Sequence, residues 1–527
     1  MLSLLTKFLA LTVPALATSD GLLVRTQQGE VIGTLVSPGV RRFLGVPYAV
    51  ANRWKSPQNP PMHNTTFQAT QFGDSCIQTL SAMNLETLKL AGLTGSAVHV
   101  PESENCLSAN IWAPSSHREQ GTAVILWIYG GGFQFGTSNT IYYDGESLVR
   151  DNDDVLLVSF NYRLNIFGQP NAPQLGSKTR SQNFGLLDME AAVYAAGAAI
   201  DAYTYAHPND TIVKGEDALN RLYICGSRSI FFSRCDGAVR ILPATPYNLN
   251  GTIDPPPWNA VADSVGCRTE TTNAQLECMK TVPFKQLEDA VISTNAVFNP
   301  LVDDITIFSD SHSRAAAGNF LRVPLLGGTT AHESNIIIVA NQELTLGTTL
   351  PVLTELVSDV ETQLLFTCPT SQITNIHVKT GVPTWRYHYQ GEDFSCCGMR
   401  VNQITIAVFP GISSRPDLRA YHASELPIFF GTYNKTQSPP SADEIAFSRY
   451  VQRAWVAFAR DPAHGLLKYG WPLYDPETNS LAQLGGFYNR TGAAFGQAKP
   501  LDSACSPSAF DTLASVETKL LTLFEPA

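Results

Sequence analysis

The feature that most constrains the fold is the sequence AVILWIYGGGF at residues 123–133, an uninterrupted apolar run that ends in three glycines. Such a run, rich in β-branched and aromatic residues, is typical of a strand in a parallel sheet covered on both faces. Similar runs occur at residues 154–163, 322–328 and 384–389. Between them lie helical patterns, such as residues 441–459, which begin with Ser-Ala-Asp-Glu. Strands that alternate with helices predict an α/β fold of the doubly wound class.

The composition is that of a large globular protein. Hydrophobic residues make up 44% of the 527 residues and charged residues 15%, which supplies enough apolar surface for a large core and excludes a disordered chain. The net charge is −11 and no basic run occurs, which argues against a nucleic-acid partner because phosphate binding needs clustered Lys and Arg. No Pro/Ser-rich linker divides the chain, so residues 18–527 are predicted to form one domain.

The N-terminal segment has the pattern of a secretory signal peptide. Lys7 precedes a short apolar stretch at residues 8–16, and the small side chains of Ala15 and Ala17 suit a cleavage site. The stretch is too short to span a bilayer, and no later run of about 18 apolar residues occurs. We therefore expect a signal peptide at 1–17 and a secreted, extracellular chain with no transmembrane segment. The alternative is a buried N-terminal strand or helix.

Ten cysteines and five glycosylation sequons fit an extracellular chain. The spacings of Cys76 from Cys106 and of Cys267 from Cys278 are longer than the two to four residues of a zinc site. Two disulfides, Cys76–Cys106 and Cys267–Cys278, are therefore the better interpretation. The Asn-x-Ser/Thr sequons, at which we expect some glycosylation, are Asn64, Asn209, Asn250, Asn434 and Asn489.

Five segments of the chain carry the pattern of one enzyme family. They are FLGVPYA (43–49), ENCLSANIW (104–112), WIYGGGF (127–133), NFGLLD (183–188) and YHASELPIFFGTY (421–433). These segments resemble secreted type-B carboxylesterases and lipases, the family that includes the cholinesterases, and the resemblance is greatest to fungal members. It implies the α/β-hydrolase fold, with a mostly parallel central sheet and helices on both faces. It also implies a small-molecule ester or lipid substrate and no metal or cofactor.

The resemblance assigns roles to four residues. Gly131 and Gly132 would supply two N–H groups of an oxyanion hole, because glycines let the backbone turn and present N–H groups to a substrate. Glu333 stands at the acid position and His422 at the histidine position. In this chemistry the histidine takes the proton of a serine hydroxyl and the carboxylate orients the imidazole. The order of acid before histidine along the chain is that of the family.

Two neighbours of these residues depart from the family pattern. Ser334 follows the acid where glycine is usual, and Ala423 replaces the glycine that follows the histidine. His332, beside the acid, is interpreted as a loop residue and not as a catalytic one.

The serine nucleophile is missing, because no G-x-S-x-G occurs in the sequence. In the family, NFGLLD opens a helix that is followed by a loop, the central strand and the turn that carries the serine. A helix, a turn and a strand need on the order of 25 residues. Residues 189–194 instead lead directly into AAGAAID (195–201), which resembles the family's segment after the serine and places Ala195 in the serine position. We therefore expect no nucleophile, and a fold without the nucleophile strand and the helix before it. The sheet would have a vacancy there, or an irregular segment such as residues 221–226 would cover its edge.

Three explanations of this gap stay open. Residues 228–250 also match nothing in the family, whereas residues 258–267 resume its pattern. A deletion and an insertion, each bounded by family sequence, favour a mistaken exon structure in the deduced protein. The alternatives are a divergent paralogue that has lost catalysis, and activity through another nucleophile such as Ser227.

These observations are compatible with two functions. The first is a carboxylic-ester hydrolase that reacts through an acyl-serine intermediate but is inactive with this sequence. The second is a non-catalytic, cholinesterase-like binding protein. Residues 80–98, within the loop between Cys76 and Cys106, have apolar residues at helical spacing. They form either a lid that opens against an apolar substrate or a surface helix packed on the core.

Overall fold

A computed structural model describes ten segments of the chain. They are residues 21–114, 122–206, 222–226, 257–268, 272–320, 322–393, 407–408, 415–435, 439–486 and 488–506. The expected signal peptide, Ser227, residues 228–250, Asn209 and Asn250 lie outside these described residues.

The strands of the described segments form four sheets. In chain order they are β1 (Leu23–Thr26), β2 (Gly29–Ile32), β3 (Thr34–Ser37), β4 (Val40–Pro47), β5 (Phe67–Gln68), β6 (Ser108–Pro114), β7 (Ala123–Ile128), β8 (Val155–Phe160), β9 (Leu222–Gly226), β10 (Leu325–Thr330), β11 (Thr384–Tyr389), β12 (Glu392–Asp393), β13 (Ala407–Val408), β14 (Asn479–Gly486) and β15 (Asn489–Gln497).

Two of these sheets are the large ones. One has six strands in the order β3-β4-β6-β8-β7-β9, in which the last three strands are parallel and the others antiparallel. The other has the order β10-β11-β14-β15, with β10, β11 and β14 parallel and β15 antiparallel. The small sheets are β1-β2-β5 and the β12-β13 pair. The sheets are thus mixed, with a parallel part in each large sheet.

Helices lie on both sides of these sheets, as predicted for the α/β class. None of the helices in the described segments is long and apolar enough to cross a membrane. They are α1 (Ala82–Leu90), α2 (Glu146–Asp151), α3 (Asn165–Gly168), α4 (Phe184–Ala206), α5 (Pro257–Ser264), α6 (Thr272–Thr281), α7 (Phe284–Ser293), α8 (Ser311–Ala316), α9 (Asn335–Leu346), α10 (Pro351–Thr362), α11 (Cys368–Lys379), α12 (Leu426–Phe430), α13 (Ala442–Arg460) and α14 (Gly465–Tyr469). A π-helical turn, Gln363–Thr367, joins α10 to α11.

Local sequence signals explain the best-predicted elements. All six residues of β7 are buried, as the uninterrupted apolar run predicts. Helix α13 begins with a complete capping box, in which the Ser441 side chain accepts from the Glu444 N–H and the Glu444 side chain accepts from the Ser441 N–H. The box satisfies two N–H groups that would otherwise lack partners at the start of the helix. Helix α13 then contacts β7, which places it against the core.

The place beside β7 is occupied, which is the second of the two arrangements that the sequence left open. Strand β9 pairs with β7 in parallel, in register from Val124–Leu222 to Ile128–Gly226. It is the segment that we expected to cover this edge, but it is a regular strand. Helix α4 runs through residues 189–201 and contains Ala195. The sheet therefore has no vacancy beside β7, because the free N–H and C=O groups of that edge are paired with β9.

Candidate active site

The glycine turn follows directly after β7. Gly131 and Gly132 have φ values of 122° and 61°, and Phe133 continues the left-handed backbone with a φ of 63°. A Cβ atom on Gly131 would lie 1.9 Å from the Phe135 carbonyl oxygen, so only glycine fits there. Within the segments that the structure describes, the N–H groups of Gly131 and Gly132 donate to no protein acceptor. Such N–H groups are available to a substrate oxygen.

Hydrogen bonds from neighbouring loops hold this turn. The Gln134 side chain donates through Nε2 to the Gly132 carbonyl at 3.1 Å and to the Phe298 carbonyl at 2.7 Å. The Asn165 N–H donates to the Phe133 carbonyl at 2.6 Å. The turn is thus fixed by its own Gln134 side chain and by two loops that are distant in the sequence, and its N–H groups are preorganised.

The acid lies at the end of β10. Glu333 is 2% exposed, and its Oε1 accepts a hydrogen bond from the Thr330 N–H at 2.7 Å. Two backbone hydrogen bonds join its loop to the histidine loop: the His332 N–H donates to the Ala420 carbonyl at 2.9 Å, and the His422 N–H donates to the Glu333 carbonyl at 3.2 Å. The His332 N–H thus helps to join the acid loop to the histidine loop, and its interpretation as a loop residue stays a prediction.

Glu333 and His422, the predicted acid and histidine, are in contact. His422 Nδ1 lies 2.6 Å from Glu333 Oε2, and since an ionised carboxylate only accepts, Nδ1 carries the hydrogen. The other ring nitrogen, Nε2, then has a free lone pair and can accept a proton. The Phe366 ring lies against the imidazole, with the ring centroids 5.2 Å apart. The side chain of His422 keeps 21% of its surface exposed, so a reacting group can reach it.

The two departures from the family pattern differ in their backbone conformation. Ser334 has a φ of −84°, which any residue adopts. Ala423 has a φ of 71°, in the left-handed region that favours glycine. Glycine would adopt the backbone conformation of residue 423 without strain, whereas Ala423 adopts it with strain. Ser334, after the acid, introduces no backbone strain.

A second carboxyl group lies three residues after the histidine. Burial and, as a smaller effect, the negative charge of Glu333 together raise the pKa of Glu425 to about 8. Glu425 is therefore protonated at neutral pH, and the carboxylate of Glu333 is the acidic charge beside His422.

The described segments contain three disulfides. The predicted pairs Cys76–Cys106 and Cys267–Cys278 are confirmed, with Cα–Cα distances of 5.0 and 5.5 Å. A third pair, Cys368–Cys505, joins residues 137 apart in sequence. It was not predicted, because no spacing signal connects cysteines so far apart.

Helix α1 lies within the Cys76–Cys106 loop. Its Leu85 and Leu88 pack against a small apolar cluster around Leu93, Val98 and Tyr142. The helix also contacts α9, which begins directly after the acid loop. In this conformation it is a packed surface helix that neighbours the acid loop, and opening as a lid stays a prediction.

The three sequons in the described segments differ in their surroundings. Asn64 and Asn434 are exposed, whereas Asn489 is half-buried. The Asn489 amide nitrogen Nδ2, the atom that a glycan would modify, donates to the Ala493 carbonyl at 3.1 Å.

The structure brings together some of the predicted site residues. Glu333 and His422 are hydrogen-bonded, and the approach of Gly131 and Gly132 to them stays a prediction. Ala195, in the serine position of the family pattern, lies inside helix α4 and not at a strand-to-helix turn. Phe366 and the protonation of Glu425 leave no signal in the sequence, because both depend on contacts between distant segments.

Comparisons with known proteins agree with the resemblance. The family model described as "Carboxylesterase family" matches residues 20–203 and 348–493, which together are more than half of the chain. The matched residues include the glycine turn and His422, and the gap between them includes Glu333.

Known relatives cover most of the chain at low identity. A chlorogenic acid esterase of Aspergillus niger is 28% identical over 88% of this chain and 90% of its own length. Secreted lipase 5 of Gibberella zeae is 27% identical over 90% of this chain and 91% of its own length. A solved structure of a PNB esterase covers 96% of this chain and 99% of its own, with a TM-score of 0.64 and 23% identity. This last likeness identifies the fold as the α/β-hydrolase fold.

Proposed function

Because the chain belongs to the carboxylesterase family, we propose that it is a secreted carboxylic-ester hydrolase whose acid and histidine are Glu333 and His422. The observation that carries the proposal is the 2.6 Å hydrogen bond between these two residues. It leaves Nε2 of His422 free to take a proton from a hydroxyl nucleophile and to return it to the leaving alcohol.

The glycine turn would stabilise the charge that develops in this reaction. Attack on an ester carbonyl produces a tetrahedral intermediate with a negative oxygen. The N–H groups of Gly131 and Gly132, which donate to no acceptor among the described residues, suit that oxygen, and their rigid turn avoids the cost of reorganisation. The relatives are named for different esters, so the proposal extends to carboxylic esters as a class and not to one acyl or alcohol group.

The chain with this sequence has no G-x-S-x-G serine. Removing the nucleophile of a serine hydrolase lowers kcat by several powers of ten. We therefore expect this chain to hydrolyse a p-nitrophenyl ester no faster than its His422→Ala variant. The variant His464→Ala, which removes an exposed histidine, is the matched control. Turnover that His422→Ala abolishes and His464→Ala leaves unchanged would mean that another residue, such as Ser227, is the nucleophile.

The second candidate function is a non-catalytic binding protein. It is favoured by the absence of the serine motif and by the position of Ala195 within a helix. Sequencing the transcript across residues 189–260 separates the two candidates. A restored G-x-S-x-G segment supports the hydrolase, and the protein made from it should turn over esters and be inactivated by a serine-directed phosphonate. A transcript that encodes the present sequence supports the binding protein.

Secretion is part of the proposal. It is supported by the signal-peptide pattern at residues 1–17 and by the disulfides, which persist in oxidising compartments. N-terminal sequencing of the protein from culture medium tests it, with a mature chain that begins near residue 18 as the expected result.

A further inference from the structure

A buried side chain of the Cys76–Cys106 loop reaches the end of the glycine turn. Gln78 is 3% exposed, and its Oε1 accepts a hydrogen bond from the Gly136 N–H at 2.7 Å. A backbone N–H only donates, so the amide oxygen, and not the nitrogen, faces Gly136. The Gln78 nitrogen Nε2 donates to Glu102 Oε1 at 3.1 Å, on the returning side of the same loop. Both ends of the Gln78 amide group are thus hydrogen-bonded.

The end of the turn packs directly against its beginning. Gly136 has a φ of 114°, and a Cβ atom there would lie 2.4 Å from the Gly130 carbonyl oxygen. The N–H groups of Gln134 and Phe135 both donate to the Gly131 carbonyl, at 3.0 and 3.3 Å. Closely packed atoms transmit a displacement to their neighbours. A shift of Gly136 would therefore also move Gly131, one of the two glycines assigned to the oxyanion hole.

The loop root, which we define as residues 76–79, also contacts the turn through its backbone. The Thr79 N–H donates to the Gln134 carbonyl at 2.7 Å. The Cys76–Cys106 disulfide closes the loop at the start of the root. A substitution of Gln78 leaves both of these connections in place, so the contribution of its side chain can be tested separately from them.

We propose that Gln78 is a positioning residue of the oxyanion hole. Its side chain holds the end of the glycine turn, and the turn keeps the N–H groups of Gly131 and Gly132 in one orientation. The part in the oxyanion hole rests on the proposed function, whereas the hold on the turn does not. If residues 80–98 open as a lid, the movement has to begin after Thr79, because the loop root stays bonded to the turn.

Hydrogen–deuterium exchange of the full chain, followed by mass spectrometry, tests the hold on the turn. Gln78→Leu keeps a similar volume and removes both hydrogen bonds of the side chain. The exchange of residues 129–137 should become about tenfold faster, the factor that the loss of one hydrogen bond of typical net strength gives. The exchange of β11 and the urea midpoint should stay close to those of wild type.

Thr79→Val is the matched control. Thr79 is the next residue of the loop root and is also buried, and its hydroxyl oxygen has no hydrogen-bond partner in the described part of the chain. Valine keeps the shape of the side chain and the backbone N–H that bonds Gln134. This variant should therefore leave the exchange of residues 129–137 unchanged.

The double variant Gln78→Glu/Glu102→Gln separates positioning from a general contribution to stability. A carboxylate at position 78 can accept from the Gly136 N–H, and an amide at position 102 can donate to that carboxylate. Both hydrogen bonds are then kept with the charge exchanged between the two positions, and the exchange of residues 129–137 should return to the wild-type rate. Gln78→Asn, which keeps the amide on a shorter side chain, replaces Gln78→Leu if the leucine variant does not fold.

Three results would overturn the proposal. They are an exchange of residues 129–137 that the loss of the Gln78 side chain leaves unchanged, an equal acceleration in β11, and a double variant that exchanges as fast as Gln78→Leu. These measurements use the chain as it is and need no ester turnover. A chain without hydrolytic activity in which Gln78→Leu loosens only the turn would thus contradict the proposed function and not the hold of Gln78 on the turn.

Discussion

The ion pair between Arg163 and Asp188 offers the sharpest test of how the core is held. The Arg163 guanidinium donates through Nε and Nη2 to the two carboxylate oxygens of Asp188, each at 2.7 Å. The Arg163 N–H also donates to Oδ2 at 3.1 Å. The side chains are 5% and 0% exposed, and the guanidinium lies over the Phe184 ring at 5.3 Å. Asp188→Asn keeps the volume and removes the negative charge, which leaves a buried guanidinium without its counter-ion.

The expected loss is large because the charge that remains is buried. Breaking a buried pair by removing one partner costs about 3–5 kcal/mol. Replacing both partners with apolar residues of similar volume is often neutral. We therefore expect Asp188→Asn to lower the free energy of unfolding by about 3–5 kcal/mol, and the double variant Arg163→Met/Asp188→Leu to lose less than the single variant.

Urea unfolding followed by tryptophan fluorescence measures this difference, since several tryptophans are buried in the core. The exposed pair Arg150–Asp151, with side chains 45% and 35% exposed, is the matched control, and Asp151→Asn should cost less than about 1 kcal/mol. An Asp188→Asn loss as small as that of the control, or a double variant less stable than the single one, would refute the reasoning.

Three further predictions concern other parts of the chain. Ala423→Gly should raise the free energy of unfolding by about 0.5–1 kcal/mol, because it removes the strain of an alanine with a left-handed backbone at the cost of some unfolded-state entropy. The control Ala340→Gly in helix α9 should lower the free energy of unfolding by about 1 kcal/mol. Thermal unfolding measures both changes. Replacing Cys368 and Cys505 with alanine should cost about 5 kcal/mol on the loop-entropy estimate for a separation of 137 residues, and a change below about 1 kcal/mol in urea unfolding would contradict that estimate. Glycopeptide mass spectrometry should find lower occupancy at Asn489 than at the two exposed sequons, since its amide nitrogen is already hydrogen-bonded, and full occupancy there would contradict this argument.

Local signals in the sequence predicted the elements that depend on local physics. The uninterrupted apolar run predicted β7, and the Ser-Ala-Asp-Glu start predicted helix α13 to within a residue at each end. The Glu333–His422 contact spans 89 residues of sequence. Neither periodicity nor capping carries information over that distance, and only the family pattern identified the two partners.

The features that the sequence did not reveal are those set by long-range packing. The sequence left open whether residues 221–226 would cover the edge of the sheet, and as an irregular segment, whereas residues 222–226 form the regular strand β9. Its pairing is determined by the open edge of β7. The neutral state of Glu425 depends on its burial and on the charge of Glu333, which is distant in the chain. The interpretation of Ser334 and Ala423 needed their φ values, since both are single replacements of a glycine.

The Cys368–Cys505 disulfide has a consequence for limited proteolysis. It closes a covalent ring that contains His422, whereas Glu333 lies on the chain before the ring. A protease that cuts once at any peptide bond between the two cysteines therefore releases no fragment, and the nicked protein migrates at full length until it is reduced. After such a cut the disulfide still links the histidine loop covalently to the rest of the chain. Hydrogen bonds still join the histidine loop to the acid loop. A nick within this ring would consequently separate the backbone without separating the acid from the histidine.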